Sequence, residues 1–324
     1  MKHLLFLIPF MLPLAAFSQN SEAGGKMRLD SIVSEYSKEV FFYDKRGNEK
    51  KEIRSSWNKT NNTWEKRDKI IYKRNNKTNR VLKIVYSWNN MTSTWEKYSI
   101  YEYVYDNNAN QILRSHSLWD NKTHNWKKEY KYEYVYNKEN QILYYIFYWN
   151  TANNEWKKST KRKNEYDDMG SQILQIYCDW DDTTNNWKEE CPDYKNEYTY
   201  DDNGSKVLHI EYSWDKAIND WKRKAKKEYE NDNRGNHTLE IWTFWRDDVW
   251  NKFRKTEFEY DNNNKIEVAY QWNSETNDWE KWKKLEYEYD NNTIIAIKNY
   301  DWSFEENNWK LNTFSRKYYY SPQK

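Results

Sequence analysis

A pair of tryptophans recurs along this chain at a spacing that organises everything else. The first member of each pair is Trp57, Trp88, Trp119, Trp149, Trp180, Trp214, Trp245, Trp272 and Trp302. The second stands seven residues on, at Trp64, Trp95, Trp126, Trp156, Trp187, Trp221, Trp279 and Trp309, except for Trp250, which follows after five. A fixed period of about 31 residues marks a repeat architecture, in which one unit cannot hide its apolar face without its neighbours. Ten residues past the second indole a tyrosine usually appears, as at Tyr105, Tyr136, Tyr166, Tyr260, Tyr289 and Tyr319. Each period therefore resolves into two strands and two turns.

The strands alternate. Leu82, Ile84, Tyr86 and Trp88 share one face, as do Leu208, Ile210, Tyr212 and Trp214, and likewise Ile266, Val268, Tyr270 and Trp272. After the second indole, counting alternate positions places Tyr130, Tyr132, Tyr134 and Tyr136 on the face of Trp126, with Glu129, Lys131, Glu133 and Val135 opposite. One aromatic face and one Lys/Glu face is the pattern of an antiparallel sheet with a wetted side. One turn type reads Tyr-Asp-x-x-Gly, as in Tyr43-Asp44-Lys45-Arg46-Gly47 and Tyr200-Asp201-Asp202-Asn203-Gly204. Such a turn needs a left-handed residue at the Gly place, and Asn264 is expected to take that place in one copy. Calcium ligation is a second reading of these Asp residues, though the loops lack the length and closing Glu of a dedicated site.

The expected fold is all-β: an antiparallel meander of about 18 strands from nine hairpin repeats, with Leu29–Val33 opening a partial first unit. Laid flat, such a sheet would be about 85 Å long. Sheets twist and must cover an apolar face, so it is expected to coil into a superhelix or close into a barrel, with the Trp/Tyr/Ile face inside. Composition agrees. A mean hydropathy of −1.32 would by itself point to disorder. Aromatic residues, however, make up 19% of the 324 residues, and each buried ring removes roughly 150–250 Å² from water. Only 6 Gly and 4 Pro exclude collagen-like and linker classes. The 53 basic and 51 acidic residues leave a net charge of +2, so no field for nucleic acid is implied.

Met1–Ser18 reads as a secretory signal peptide: Lys2 and His3, an apolar run from Leu4 to Phe17, and a small-x-small site at Ala16-Phe17-Ser18. Residues 19–27 are expected to be a flexible N-terminal segment and 28–324 a single β-repeat domain. No later segment is apolar enough to span a bilayer as a helix. The mature chain is expected to be exported to the periplasm, the cell surface or the medium.

The Tyr-Asp-x-x-Gly turns resemble the tyrosine–aspartate (YD) repeats of Rhs-type bacterial shells. The whole pattern, from the signal peptide through Leu-Asp-Ser-Ile-Val to the Trp pairs over residues 28–320, is similar to that of exported Trp-rich repeat proteins of Gram-negative bacteria. The resemblance implies a coiled β-sheet and lends no catalytic residue. It also departs from the Rhs pattern, because those shells are far longer and the Trp pair is not part of their motif.

Cys178 and Cys191 flank Trp180 and Trp187 and are expected on one face of a hairpin, where they form either a cross-strand disulfide or two free thiols, with a metal or redox site as a third reading. His116, His124, His209 and His237 fall in different repeats with no metal or triad spacing. No cofactor is expected, and no enzymatic role. An outer-membrane barrel fits the strand lengths but not the charge: Lys97, Lys128, Lys158, Lys252 and Lys281 sit two after an indole, and alternation puts Arg162, Arg254 and Lys283 further along the same face.

The local anomaly lies on the other face. Trp242 is three before Trp245, Phe253 three after Trp250, Ala269 three before Trp272, and Trp282 three after Trp279. Pairing strands in order sets Trp242, Phe253, Ala269 and Trp282 in one row, where other repeats hold Glu129, Ser159 or Lys224. Trp242, Phe253 and Trp282 are the ligand-binding candidates, as a platform for a glycan or a surface protein. The plain alternative is that they cover an edge, pack under a loop or cap the coil. The expected function is a non-catalytic, exported binding protein. A purely structural envelope element is the alternative, and a glycan-active enzyme a more distant one.

Overall fold

In the computed structural model, the described residues are 27–137, 140–168, 170–188, 191–261, 264–291 and 293–322, with the backbone alone described at 191–194. The signal peptide and nearly all of the segment after it lie outside them.

Ten hairpins follow one another. The first pairs β1 (Met27–Val33) with β2 (Ser37–Tyr43), the second β3 (Glu49–Asn58) with β4 (Thr63–Asn75), and the third β5 (Arg80–Asn89) with β6 (Thr94–Tyr105). Then come β7 (Gln111–Asp120) with β8 (Asn125–Asn137), β9 (Asn140–Asn150) with β10 (Glu155–Tyr166), and β11 (Gln172–Asp181) with β12 (Asn186–Trp187) and β13 (Cys191–Tyr200). The last four are β14 (Lys206–Asp215) with β15 (Asp220–Asn231), β16 (His237–Arg246) with β17 (Val249–Tyr260), β18 (Asn264–Asn273) with β19 (Asp278–Asp290), and β20 (Thr293–Ser303) with β21 (Asn308–Leu311) and β22 (Arg316–Pro322). Apart from β12 with β13 and β21 with β22, each strand pairs antiparallel with its chain neighbours, and β22 returns to pair with β1, Tyr318 facing Ile32. The 22 strands therefore close into a barrel of 20 staves, because β12 with β13, and β21 with β22, each share one stave. The sheet is a barrel rather than a superhelix. The expected count of about 18 came from the nine indole pairs and had only a partial unit at Leu29–Val33, where the structure has a full hairpin whose short Ser34–Ser37 turn carries Tyr36 in place of an indole pair.

Local chemistry sets the turns. After the first indole, an Asn or Asp side chain accepts a main-chain N–H two residues on: Asn58 from Thr60 at 2.8 Å, Asn89 from Met91 at 2.9 Å, Asp120 from Lys122 at 2.8 Å. A left-handed residue then closes the turn, as at Asn62, Ser93, Asn154 and Asn277. The shorter copy instead uses two left-handed residues, Asp247 (φ 53°) and Asp248 (φ 58°), which is what a two-residue hairpin turn requires. At the other rim, Asp44 Oδ1 accepts the N–H groups of Arg46 and Asn48, both at 2.9 Å, and Asp201 does the same for Asn203 and Ser205. These carboxylates serve the turns, which is the reading preferred over calcium ligation. Asn264 does not take the Gly place. Its turn is one residue shorter, with Asp261 N–H bonded directly to the Asn264 carbonyl. The residue that replaces Gly in a turn of standard length is Ala109, at φ 64°.

All nine indole pairs meet edge to face at 4.9–5.2 Å between centroids, across the hairpin they flank. Because turns alternate along a meander, every pair falls at the same rim of the barrel.

Two residues past the second indole, alternation fails. Val85 faces Ser99 while its neighbour Tyr86 faces Lys97, so Tyr98 is an extra residue. The same bulge falls at Arg67, Glu129, Ser159, Lys224, Phe253 and Trp282. A bulge shifts the faces of everything beyond it and increases twist, which helps a wide sheet curl shut. Tyr130, Tyr132 and Tyr134 consequently face away from Trp126: they stand beside His116, Arg114 and Tyr144, while Lys131 and Glu133 stay on the indole side. The expected division into a single aromatic face and a single charged face is corrected accordingly, and each face mixes rings with charge.

The tyrosine face is the enclosed one. Burial raises the Tyr72, Tyr103, Tyr229 and Tyr287 hydroxyls, pushes Glu49 up to about 7, and lowers the Lys83 ammonium. On the indole face, hydrogen bonds from Lys195 and Tyr212 hold Glu197 below its usual range, and burial with a carboxylate partner raises the Tyr212, Tyr270 and Tyr300 hydroxyls. Burial shifts are more numerous on the tyrosine face, the crowding expected on the concave side of a curved sheet, so the tyrosines are read as lining the lumen and the indoles as ringing the outside. This reverses the expectation that the Trp face is inside. A circular barrel of 20 strands tilted by about 40° would be roughly 40 Å across, and barrels of 16–18 strands already leave an aqueous channel. The dry core is accordingly small. The buried apolar residues among those described are Ile70, Ile84, Cys178, Ala225 and Ala296.

Candidate functional site

The three aromatic candidates occupy the lumen side near the indole rim. Trp242 lies on β16, while Phe253 and Trp282 are the bulge residues of β17 and β19. The Trp242 and Phe253 rings meet edge to face at 5.4 Å. Phe244, which alternation from Trp242 would have shown, completes a triangle at 5.2 Å from Trp242 and 4.9 Å from Phe253. Phe253 remains 40% exposed, so the cluster is open on one side.

Trp282 is not joined to Phe253 across Ala269. The bulges break the proposed row: Trp242 faces Arg254, Arg254 faces Gln271, and Ala269 faces Thr256 and Lys283. Arg254 is the link that sequence reasoning missed. Its guanidinium carbon lies 4.4 Å from the Trp282 ring centroid, on the strand between Phe253's neighbours and Trp282. Lys283 lies 4.8 Å from the same ring and Lys227 lies 4.9 Å from Trp242. The surface therefore runs Phe244, Phe253, Trp242, Arg254, Trp282, with cations laid on both indoles. The signal for Arg254 was its place one after Phe253, which only the bulge turns toward the lumen.

Two donors here have no acceptor among the described residues: the indole N–H of Trp242 and the Nε–H of Arg254, both buried. A buried polar group without a partner costs about 1–3 kcal/mol unless water or a ligand meets it. The Arg254 guanidinium is held below its usual pKa by burial, with Glu240 acting against the shift. No group of three metal-ligating side chains occurs among the described residues.

The other candidates are placed as follows. The bulge moves Arg162, Arg254 and Lys283 to the lumen face, which overturns their expected position. The charges on the outer face are others: Lys131–Glu133 at 2.5 Å, Lys255–Glu257 at 2.6 Å and Lys284–Glu286 at 2.6 Å. Cys178 is buried on the outer face. The register sets Cys191 opposite Tyr177, one residue from Cys178, and the Cys191 side chain lies outside the described ones.

No protein-family model and no curated protein matches this chain. Solved structures with partial likeness include a protein of unknown function from Bacteroides fragilis, 15% identical with a TM-score of 0.35 over 43% of this chain and 91% of that one. A porin-like protein from Bacteroides uniformis is 8% identical, with a TM-score of 0.34 over 78% of this chain and 95% of that one. The TcdB2–TccC3 structure is 12% identical, with a TM-score of 0.28 over 86% of this chain and 16% of that one. At these scores the likenesses carry no argument, and the functional reading rests on the side chains.

Proposed function

We propose that this protein is an exported, non-catalytic barrel that binds a glycan on the lumen surface around Trp242, Phe253 and Trp282. The observation that carries the reading is the pair of buried, unpartnered donors beside an open ring: Trp242 Nε1 and Arg254 Nε next to the exposed Phe253. A sugar presents C–H groups to an aromatic face and hydroxyl acceptors at its rim, so it satisfies both features at once. The signal sequence supports export. The outer ion pairs argue against a lipid-facing wall, since cations facing lipid cost about 2–4 kcal/mol each at the midplane.

The test is a glycan array followed by calorimetry on the purified mature protein, comparing wild type with Trp242→Ala and Phe253→Ala. Binding that weakens at least tenfold in both variants, with unchanged thermal unfolding of the protein, supports the reading. Wild type that binds no glycan, or variants that bind as tightly as wild type, sink it and return the barrel to a structural or protein-binding role.

A further inference from the structure

A second set of rings crosses the lumen wall elsewhere, on β6, β7 and β8. Tyr101 lies 4.5 Å from His116, His116 lies 4.9 Å from Tyr130, Tyr130 lies 5.5 Å from Tyr132, and Tyr132 lies 6.2 Å from Tyr134. The Tyr101 and His116 planes lie 33° apart, those of His116 and Tyr130 32° and those of Tyr132 and Tyr134 10°, while Tyr130 meets Tyr132 edge to face at 84°. All are half-buried, so the ladder keeps contact with the lumen. Its length comes from three adjacent strands each contributing to one continuous line.

Arg114 stands within that line. Its guanidinium carbon is 5.6 Å from the Tyr101 ring and 5.8 Å from Tyr132. Its Nε–H, and Nδ1 of His116 beside it, are buried with no hydrogen-bond partner among the described residues. Charge around it is uneven. Elsewhere the lumen wall pairs cations with carboxylates: Arg54 with Glu52, Lys227 with Glu240 at 3.8 Å, Lys265 with Glu267 at 2.7 Å. Between their bulge and rim rows, β6, β7 and β8 present Tyr, Ser, His, Arg and Leu to the lumen, and the nearby carboxylate, Glu129, sits in the bulge and acts on His116. The adjacent strand adds another cation, Lys83, 5.9 Å from the Tyr101 ring, with Glu52 and Glu49 acting on it from β3.

We infer that the Arg114 ladder is a second binding site, for an acidic saccharide such as a uronate or sulfated oligosaccharide. The rings supply two adjoining stacking platforms, Tyr101–His116–Tyr130 and Tyr132–Tyr134, the tyrosine hydroxyls supply hydroxyl-to-hydroxyl hydrogen bonds, and Arg114 supplies the charge that a carboxylate or sulfate needs. A guanidinium whose Nε–H has no partner among the described residues is suited to a planar anion. Arg254, by contrast, is laid against an indole in a sector that also holds Glu240. The acidic-sugar site uses different residues from the Trp242 surface and does not depend on it.

The experiment is calorimetry with oligogalacturonate, a sulfated oligosaccharide and a neutral oligosaccharide of matched length, at low and at 0.5 M salt. Wild type is expected to bind at least one acidic oligomer, more weakly at high salt. Arg114→Gln should weaken that binding at least tenfold and leave any neutral-sugar binding unchanged. Tyr132→Leu is the second variant, expected to weaken it several-fold, and it decides the matter if Arg114→Gln unfolds at a lower temperature than wild type. Absence of acidic binding by wild type, or full retention in a folded variant, overturns the inference. Loss of acidic binding in Trp242→Ala also overturns it, since a single site would then serve both sugars. Loss of neutral binding alone in that variant belongs to the first site.

Discussion

Lys97 holds its ammonium 3.8 Å from the centroid of Trp119, an indole of the next hairpin. The contact recurs around the rim, with Lys66 on Trp88, Lys128 on Trp149, Lys158 on Trp180 and Lys252 on Trp272, at 3.9–4.1 Å. Sequence analysis had Lys97, Lys128, Lys158 and Lys252 on the indole side, but not their partners. Each joins one repeat to the following one, so in a barrel with little dry core they help supply the nearest-neighbour coupling that repeat proteins rely on.

Replacing Lys97 by Met keeps the stem and removes the cation. An exposed cation–π contact contributes about 0.5–1 kcal/mol, and a loss of that size is expected in urea unfolding of Lys97→Met, with Lys97→Arg near wild type. Equal midpoints for Lys97→Met and wild type would show that the stacked geometry contributes nothing.

The bulge makes a stronger demand. Tyr98 is 58% exposed, so Tyr98→Ala should cost no more than about 0.5 kcal/mol. Deleting Tyr98 instead would turn Ser99, which is 2% exposed, and the lumen residues beyond it to the outside. The deletion is expected to cost more than about 3 kcal/mol or prevent folding. Denaturant unfolding of the two variants checks this. Similar stabilities for both would mean the face shift is unimportant.

Glu49 gives a pH dependence of defined sign. Burial and the neighbouring Glu52 push its carboxyl up to about 7 against the pull of Arg74, Lys83 and Arg54. The folded state therefore keeps a proton that the unfolded chain has released between the ordinary Glu value and about 7. The contribution to stability is greatest at the acid end of that window and declines as pH rises through it, then stays level. Glu49→Gln should flatten this part of the profile and be more stable than wild type above pH 7. Parallel profiles of thermal midpoint against pH for the two proteins would refute the assignment.

Two glycines at the tyrosine–aspartate rim separate strain from crowding. Gly170 and Gly235 have φ of 77° and 81°. A Cβ at Gly170 would meet nothing within 4 Å, whereas one at Gly235 would stand 3.2 Å from Ser205 Oγ. Gly170→Ala is expected to cost about 1 kcal/mol, the strain of a left-handed Ala. Gly235→Ala should cost a few tenths more, because the Ser205 hydroxyl must yield. Thermal unfolding orders the two, and the reverse order would contradict the geometry.

The repeat, its indole pairs and its turn residues were legible because each is a short-range relation. An Asn after a Trp caps its own turn, a left-handed Asn closes it, and two indoles seven apart meet across the hairpin whatever the rest of the chain does. Trp242 and Phe253 could likewise be picked out as neighbours, since one short turn joins their strands. The link from Phe253 to Trp282 could not, and neither could the lumen ladder on Tyr101, His116 and Tyr130. Those depend on a residue inserted into one strand and not the other, and no local pattern marks an insertion whose occupant is Arg in one copy, Ser in another and Trp in a third.

By itself, then, the amino-acid order determined an antiparallel meander, its period, and the chemistry of both rims. Tertiary structure decided which side chains share the lumen, because a bulge in seven of the ten hairpins inverts the alternation beyond it. It also decided that the ends meet, because twist accumulated over twenty staves brings β22 back to β1. Both are sums over many strands, and neither is a property of any one repeat.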